Sequence, residues 1–217
     1  MTARRCRVFL VDDHPLVREW LANLLRAQPD LEVCGQAEDA RGALTALGAA
    51  PADVAIVDLS LRTSSGLDLI KDLRERHPAT EIIVLSMHEE LFYAERALRA
   101  GARGYVTKRE STGRIVEAIR EVRAGRVYAS PEMLAQLAGR LVGGGTPATV
   151  ENLSDRELEV FRRLGEGQGT RQIADELRVS IKTVQAYCAR IKEKLGLASG
   201  AILVRDAVRW VEQAKSK

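Results

Sequence analysis

The chain has 217 residues and a mass of 23.9 kDa, enough for one large domain or two small ones that each bury a core. With 46% hydrophobic and 29% charged residues, its composition is that of a folded globular protein and excludes wholesale disorder, collagen-like repeats and a disulfide scaffold. The net charge of +3 is unevenly spread: acidic and basic residues balance through position 150, and 151–217 hold the whole excess. That is a mild pointer to a nucleic-acid partner at the C-terminal end. Apolar runs such as 54–57 and 82–85 fall far short of the ~20 residues that span a bilayer. Arg4, Arg5 and Arg7 lead straight into a strand-like run, not into a signal-peptide core. The scattered Cys6, Cys34 and Cys188 lack metal-ligand spacing and point to a reducing, cytoplasmic setting.

In chain order, two periodicities alternate through the first ~125 residues. Strand-like apolar runs fall at 6–11, 31–36, 54–58, 82–86 and 104–107. Helix-period segments fall at 15–28, 40–49, 66–77, 89–100 and 111–124. In the first of these, Leu16, Val17, Trp20, Leu21, Leu24 and Leu25 recur at three- and four-residue steps. Five strands alternating with five helices predict an α/β fold, a five-stranded parallel sheet covered by helices on both faces. Residues 54–57 and 82–85 are apolar on both sides, as central parallel strands are. Beyond 125 the pattern breaks. A short helix fits 131–141, and the glycine-rich stretch 143–149 reads as an interdomain linker. The last third is all-helical: Ser154 and Glu157 form a capping box that opens a helix to about Gly165, and further helices fit 171–177, 180–195 and 199–214. The organisation expected is therefore an α/β domain over 1–125, a linker over 126–150 and a four-helix domain over 151–217.

Ligands of an open parallel sheet bind beyond the carboxyl ends of its strands. Here those ends carry Asp12 and Asp13, Asp58, Ser86 and, just past Thr107, Lys108. Singly, each has a plain structural reading as a cap, a turn hydroxyl, a solvated lysine or, for Tyr105, an ordinary strand residue. Jointly they describe a site. Two unit charges 4 Å apart repel by about 4 kcal/mol at an effective dielectric of 20, so clustered carboxylates call for a hard divalent cation such as Mg2+. A carboxylate beside that cation and a lysine is equipped to attack a phosphoryl group. In the C-terminal third, Val184, Tyr187, Cys188, Ile191 and Leu195 predict one buried stripe. Lys182, Thr183, Gln185, Ala186, Ala189, Arg190 and Lys192 form the opposite face. Such side chains suit bases and phosphates on the second helix of a helix-turn-helix; spacing alone serves equally well a small bundle with solvated charges.

The motifs VDDHPLVRE (11–19), VDLSLRTSSGLDLI (57–70), IIVLSMH (82–88) and GYVTK (104–108) resemble the receiver domain of two-component response regulators. LSDRELEVFRRLGEG (153–167) and RQIADELRVSIKTVQAYCARIKEKLGL (171–197) resemble the LuxR/NarL-type DNA-binding domain. The likeness covers nearly the whole chain and is to the NarL/FixJ branch. It implies a flavodoxin-like receiver and a DNA-binding transcriptional regulator, not a dedicated enzyme, with autodephosphorylation as at most a side reaction. It implies Asp58 as phosphoacceptor, Asp13 as direct metal ligand, Asp12 acting through water and the Ser60 backbone carbonyl completing the metal contacts. Ser86 and Lys108 would bind the phosphoryl group, and Ser86 and Tyr105 would form the switch. Gln185, Ala186 and Ala189 fall where the family reads bases, and Lys182, Thr183, Arg190 and Lys192 are candidates for phosphate or edge contacts. The partners implied are a histidine kinase, double-stranded promoter DNA and a second copy on phosphorylation, with no membrane. The helix over 199–214, with Ile202, Leu203, Ala207 and Trp210, is the candidate dimer element, its alternative being closure of the small domain's own core.

Three positions depart from the family pattern: Arg62 and Arg109 stand where prolines are frequent, and Tyr187 stands where histidine is. Arg62 keeps open a vestigial receiver that works without phosphorylation. An aspartyl-phosphate enzyme would need an acid near the nucleophile, and Ser60, two residues on, is a poor one. A ligand-sensing LuxR-type activator would have no use for the carboxylates.

Overall fold

The computed structural model describes residues 4–61, 65–87, 91–109, 112–143, 150–177 and 179–215. Its first unit is built on strands β1 (Cys6–Val11), β2 (Leu31–Ala37), β3 (Val54–Asp58), β4 (Glu81–Ser86) and β5 (Gly104–Thr107). All pairings are parallel, in the order β2-β1-β3-β4-β5. Helices α1 (Pro15–Arg26), α2 (Ala40–Ala49), α3 (Gly66–Arg76), α4 (Leu91–Ala100) and α5 (Thr112–Arg123) connect and follow the strands. This is the flavodoxin-like α/β fold, with its switch in strand order between β1 and β3. Each predicted element exists, with ends displaced by a residue or two where end residues fray; Glu89 and Ser111 lie outside the described residues.

The pleat divides the core between two faces. Val8, Leu10, Ile56, Ile83, Leu85 and Val106 lie on the face covered by Leu21 and Leu25 of α1 and Ile115, Ile119 and Val122 of α5. Phe9, Val11, Ala55, Val57, Val84 and Tyr105, all buried, occupy the alternate positions. Past α5 the chain returns along the edge of the sheet: the Tyr105 amide donates to the Tyr128 carbonyl (2.8 Å) and the Tyr128 amide to the Arg103 carbonyl (2.9 Å). These bonds satisfy edge groups that would otherwise be open to another strand. A further helix, α6 (Pro131–Gly143), packs against α4, and the first compact unit runs through Gly143. Most of the glycine-rich stretch expected as linker, 144–149, lies outside the described residues.

The second unit is a 3-10 turn (Val150–Asn152) and helices α7 (Asp155–Gly165), α8 (Thr170–Glu176), α9 (Ile181–Leu195) and α10 (Gly200–Lys215). The capping box is formed: the Ser154 amide donates to Glu157 Oε2 (2.7 Å), and the Glu157 amide donates to Ser154 Oγ (3.4 Å). At Gly165 the backbones of α7 and α10 come close, since a Cβ there would lie 2.4 Å from the Ala207 carbonyl oxygen. Leu203, Ala207 and Val211 of α10 are buried, and the Trp210 ring meets that of Phe161 at 5.8 Å between centroids. Gly165→Ala therefore forces two backbones apart and is expected to destabilise this unit by about 1–3 kcal/mol. Amide hydrogen exchange checks this: protection falls across 153–211 and stays unchanged across 6–122.

Candidate functional site

The acidic pocket lies at the carboxyl edge of the sheet, and strand register builds it. Val11 pairs with Val57, so Asp12, the residue after β1, arrives level with Asp58, the last residue of β3. Asp58 pairs with Leu85 and Leu85 with Val106, so Lys108 leaves β5 two residues beyond that level and its long side chain reaches back over the strand ends. Hydrophobic strands thus carry charged groups to their ends, where the backbone leaves the sheet. The Asp12, Asp13 and Asp58 side chains are 3%, 6% and 2% exposed. Gly66, at the start of α3, permits the tight return after β3: a Cβ there would lie 2.4 Å from the Asp58 carbonyl oxygen.

Lys108 is the counter-charge. Its Nζ donates to Asp12 Oδ2 (2.6 Å) and to Asp58 Oδ2 (2.8 Å). Its amide donates to the Ser86 carbonyl (2.7 Å), which fixes where the side chain begins. The other oxygens are held from the backbone: Asp12 Oδ1 accepts from the His14 amide (2.8 Å) and Asp58 Oδ1 from the Ser60 amide (3.0 Å). Burial pushes the Asp58 carboxyl up from its ordinary value, and Lys108, which pulls it down, does not outweigh burial and the Asp12 charge together. Burial works against the Lys108 ammonium too, but Asp58 and Asp12 overcome it and raise the lysine.

Most of the expected pocket residues are brought together: Asp12, Asp13, Asp58 and Lys108, with the Ser60 amide on Asp58 and Ser86 fully buried beside Thr107. Tyr105 is 1% exposed, within the sheet's covered face. Arg109 is exposed, and Arg62 lies outside the described residues. Two residues escaped the sequence reading. His14 Nδ1 stands 2.8 Å from Asp13 Oδ1 and 3.3 Å from Asp12 Oδ1; the run of three donors Asp12, Asp13, His14 was its signal. The Arg18 guanidinium donates to the Asp12 carbonyl, a contact that no pattern of charge announces. Three all-oxygen donors converging beside a single ammonium suit a hard divalent cation, and the ligand atoms of Asp12, Asp13, His14 and Asp58 lie within 4.8 Å of one another.

In the second unit α9 presents a polar face. Ser180 caps the helix by accepting from the Thr183 amide (3.0 Å), and its hydroxyl also bonds that of Thr183 (2.8 Å). Lys182, Gln185, Ala186, Ala189 and Arg190 are exposed, whereas Thr183 and Lys192 are half-buried. The inward stripe is narrower than expected: Val184 and Ile191 are buried, but Tyr187, Cys188 and Leu195 are only half-buried, because Tyr187 and Cys188 lie to either side of the Val184–Ile191 line and Leu195 is the last residue of the helix. Tyr187 lies beneath Arg190, whose guanidinium carbon is 5.3 Å from the ring centroid. Lys194 turns inward instead, to Glu157 Oε2 (2.7 Å) and the Asn152 carbonyl (3.3 Å), and so ties α9 to the capped end of α7. Arg163 bonds Glu159 of α7 (2.7 Å) and Glu176 of α8, which fixes α8 on α7.

Residues 8–120 match the response regulator receiver domain family, and residues 151–207 match the bacterial regulatory proteins of the luxR family. The chain is 35% identical over 210 residues to the oxygen regulatory protein NreC of Staphylococcus carnosus, covering 94% of this chain and 97% of that protein. It is also 35% identical over 192 residues to the DNA-binding transcriptional activator DevR/DosR of Mycobacterium tuberculosis, covering 88% of each. Among solved structures, RcsB of Salmonella enterica serovar Typhimurium, bound to a promoter in the presence of a phosphomimetic, is similar with a TM-score of 0.67 and 27% identity. That likeness covers 94% of this chain and 98% of that one. Receiver domains of this kind use magnesium in an acidic pocket. Among the described residues no helix is long and apolar enough to cross a membrane.

The raised Asp58 carboxyl has a consequence for stability. Because its folded value lies above the unfolded one, the protonated group favours the folded state below the unfolded value. That contribution is lost as pH rises through the raised folded value, and above it the ionised group opposes folding. Asp58→Asn leaves Lys108 paired with Asp12 and is expected to stabilise the first unit by about 1 kcal/mol at neutral pH. Thermal unfolding at neutral pH and near pH 4 checks this, the gain shrinking at the lower pH.

Proposed function

Since the chain belongs to the two-component response regulators that join a receiver to a LuxR-family DNA-binding domain, and so is a transcriptional regulator, we propose that phosphorylation of Asp58 by a histidine kinase switches its binding to promoter DNA. The observation that carries this reading is Lys108 Nζ within 2.8 Å of Asp58 and 2.6 Å of Asp12. A buried nucleophilic carboxylate is held there with a fixed cation at the place where phosphoryl oxygens would accumulate charge.

In the proposed reaction an Asp58 carboxylate oxygen attacks the phosphorus of the kinase's phosphohistidine. The P–O bond forms as the P–N bond breaks, and the leaving imidazole takes up a proton. Asp13 and Asp58 would hold Mg2+ directly, with the Ser60 carbonyl, and Asp12 through water. The bound cation supplies neutralisation of the equatorial oxygens. Lys108 pairs with the new phosphoryl group, and the Ser86 hydroxyl approaches it. Ser86 pairs with Thr107 on β5, two residues from Tyr105, so its movement is coupled to the buried ring and to α4 beyond it. Loss of the phosphoryl group by autodephosphorylation completes the cycle.

On α9, Gln185 is the side chain with the chemistry for a bidentate base contact, and Ala186 and Ala189 offer methyl contacts. Lys182 and Arg190 take phosphates, with Thr183 and Lys192 at the rim. Leu203 and Ala207 are spent in closing the core against α7, so pairing of two copies through α10 falls to its outer face, where Val204 is 41% exposed. This reading places the protein in the cytoplasm with its DNA.

Intact mass after acetyl phosphate and magnesium tests the acceptor. The expected result is one phosphoryl increment in the wild type and none in Asp58→Ala; an increment in both would overturn the assignment. For the reader, Gln185→Ala is expected to cost about 1–3 kcal/mol and relax preference at one base pair, whereas Arg190→Ala should weaken all sequences alike and lower the salt slope by about 1. Titrations of operator variants across salt concentrations separate the two.

A further inference from the structure

His14 has an unusual position for a helix-capping residue. It stands at the N-cap of α1, ahead of Pro15 at N1, yet its side chain makes no capping hydrogen bond. The imidazole turns back to the carboxylates instead, with Nδ1 2.8 Å from Asp13 Oδ1 and 3.3 Å from Asp12 Oδ1. Its backbone amide meanwhile holds Asp12 Oδ1 at 2.8 Å. Two donors sharing one cation with bonds of ~2.1 Å stand about 3.0 Å apart at a right angle and about 3.4 Å apart at the tetrahedral angle. The 2.8 Å between Nδ1 and Asp13 Oδ1, the carboxylate that would hold the ion directly, is a hydrogen-bond length slightly short of the first value, so a small shift of the ring brings both donors onto one ion. Lys108 approaches the Oδ2 atoms of Asp12 and Asp58, so the imidazole and the ammonium address different oxygens of Asp12. With its side chain 52% exposed, His14 also has room to adjust to an ion.

We propose that His14 is a further ligand of this pocket, its Nδ1 adding a nitrogen donor that lets the site hold a divalent transition metal of the manganese-to-zinc series and prefer it to magnesium. The inference rests on the pocket being a cation site. Magnesium takes oxygen donors and gives up its waters reluctantly, so it gains little from an imidazole. Manganese, cobalt, nickel and zinc ions accept imidazole readily, with affinity rising from manganese through cobalt to nickel. Among the described residues this is the one cluster of three or more potential ligands that includes a histidine.

The test uses the full chain, loaded with Mn2+ for pulsed electron paramagnetic resonance and titrated with Ni2+ and Mg2+ by calorimetry, in wild type, His14→Ala and Asp13→Ala. The expected result is a nitrogen coupling to Mn2+ that His14→Ala abolishes, with Ni2+ affinity falling about tenfold or more while Mg2+ affinity hardly changes. No nitrogen coupling, together with equal Ni2+ affinity in wild type and His14→Ala, overturns the inference; His14 is then only a hydrogen-bonding partner of Asp13, and the magnesium pocket stands. Unchanged binding of all three ions in Asp13→Ala overturns the reading of the pocket as a cation site, and the inference with it.

Discussion

A single ammonium group stands between two buried carboxylates, and the first unit is arranged to make that arrangement possible. Lys108 reaches Asp12 and Asp58 from the end of β5, across the width of β4 and β3. Three nearly buried carboxylates at one edge of a sheet repel one another strongly, and one lysine offsets only part of that charge. The balance is held by geometry: parallel register puts Asp12 level with Asp58, the Ser60 and His14 amides hold one oxygen each, and Gly66 allows the chain to return close behind Asp58. What remains is a net negative cavity. It attracts a cation and resists a free anion.

The same logic of an internal counter-ion recurs in the second unit, with a structural outcome instead of a chemical one. Glu157 caps α7 and accepts Lys194 of α9. Burial opposes its charge, but Lys194 and the Ser154 contacts prevail and lower the carboxyl below its ordinary value. With Val184 and Ile191 buried on the inner side of α9, that contact holds the helix in the rotation that leaves Gln185, Ala186, Ala189 and Arg190 facing outward. Arg163 does the corresponding work for α8 through Glu159 and Glu176. The polar face of α9 is therefore backed by two salt-bridged contacts and by the close Gly165–Ala207 approach.

Much of this was legible in the linear sequence. The alternation of apolar periods located five strands and their helices, and the chemistry-bearing residues at strand ends already suggested one pocket. The capping box at Ser154 and Glu157 was readable because its partners are three residues apart. Contacts between distant segments were less so. Nothing in the order of residues says that the Arg18 guanidinium meets the Asp12 carbonyl, that the His14 side chain turns from its helix to the carboxylates, or that Tyr187 stops half-way out and lies under Arg190. The two readings of α10 were equal on spacing, since the apolar stripe that closes a core has the same period as one that joins two copies.

By itself, then, the sequence determined the fold class and the order of an α/β unit and a helical unit along the chain. These depend on hydrophobic periodicity and on local capping, which residue order alone carries. Only the tertiary structure decided which oxygens Lys108 binds, which side of α10 is used up against Phe161 and α7, and which members of the α9 face remain in solvent. Those outcomes depend on how closely two backbones approach and on which buried charges find partners. Both are properties of packing between residues far apart in the chain.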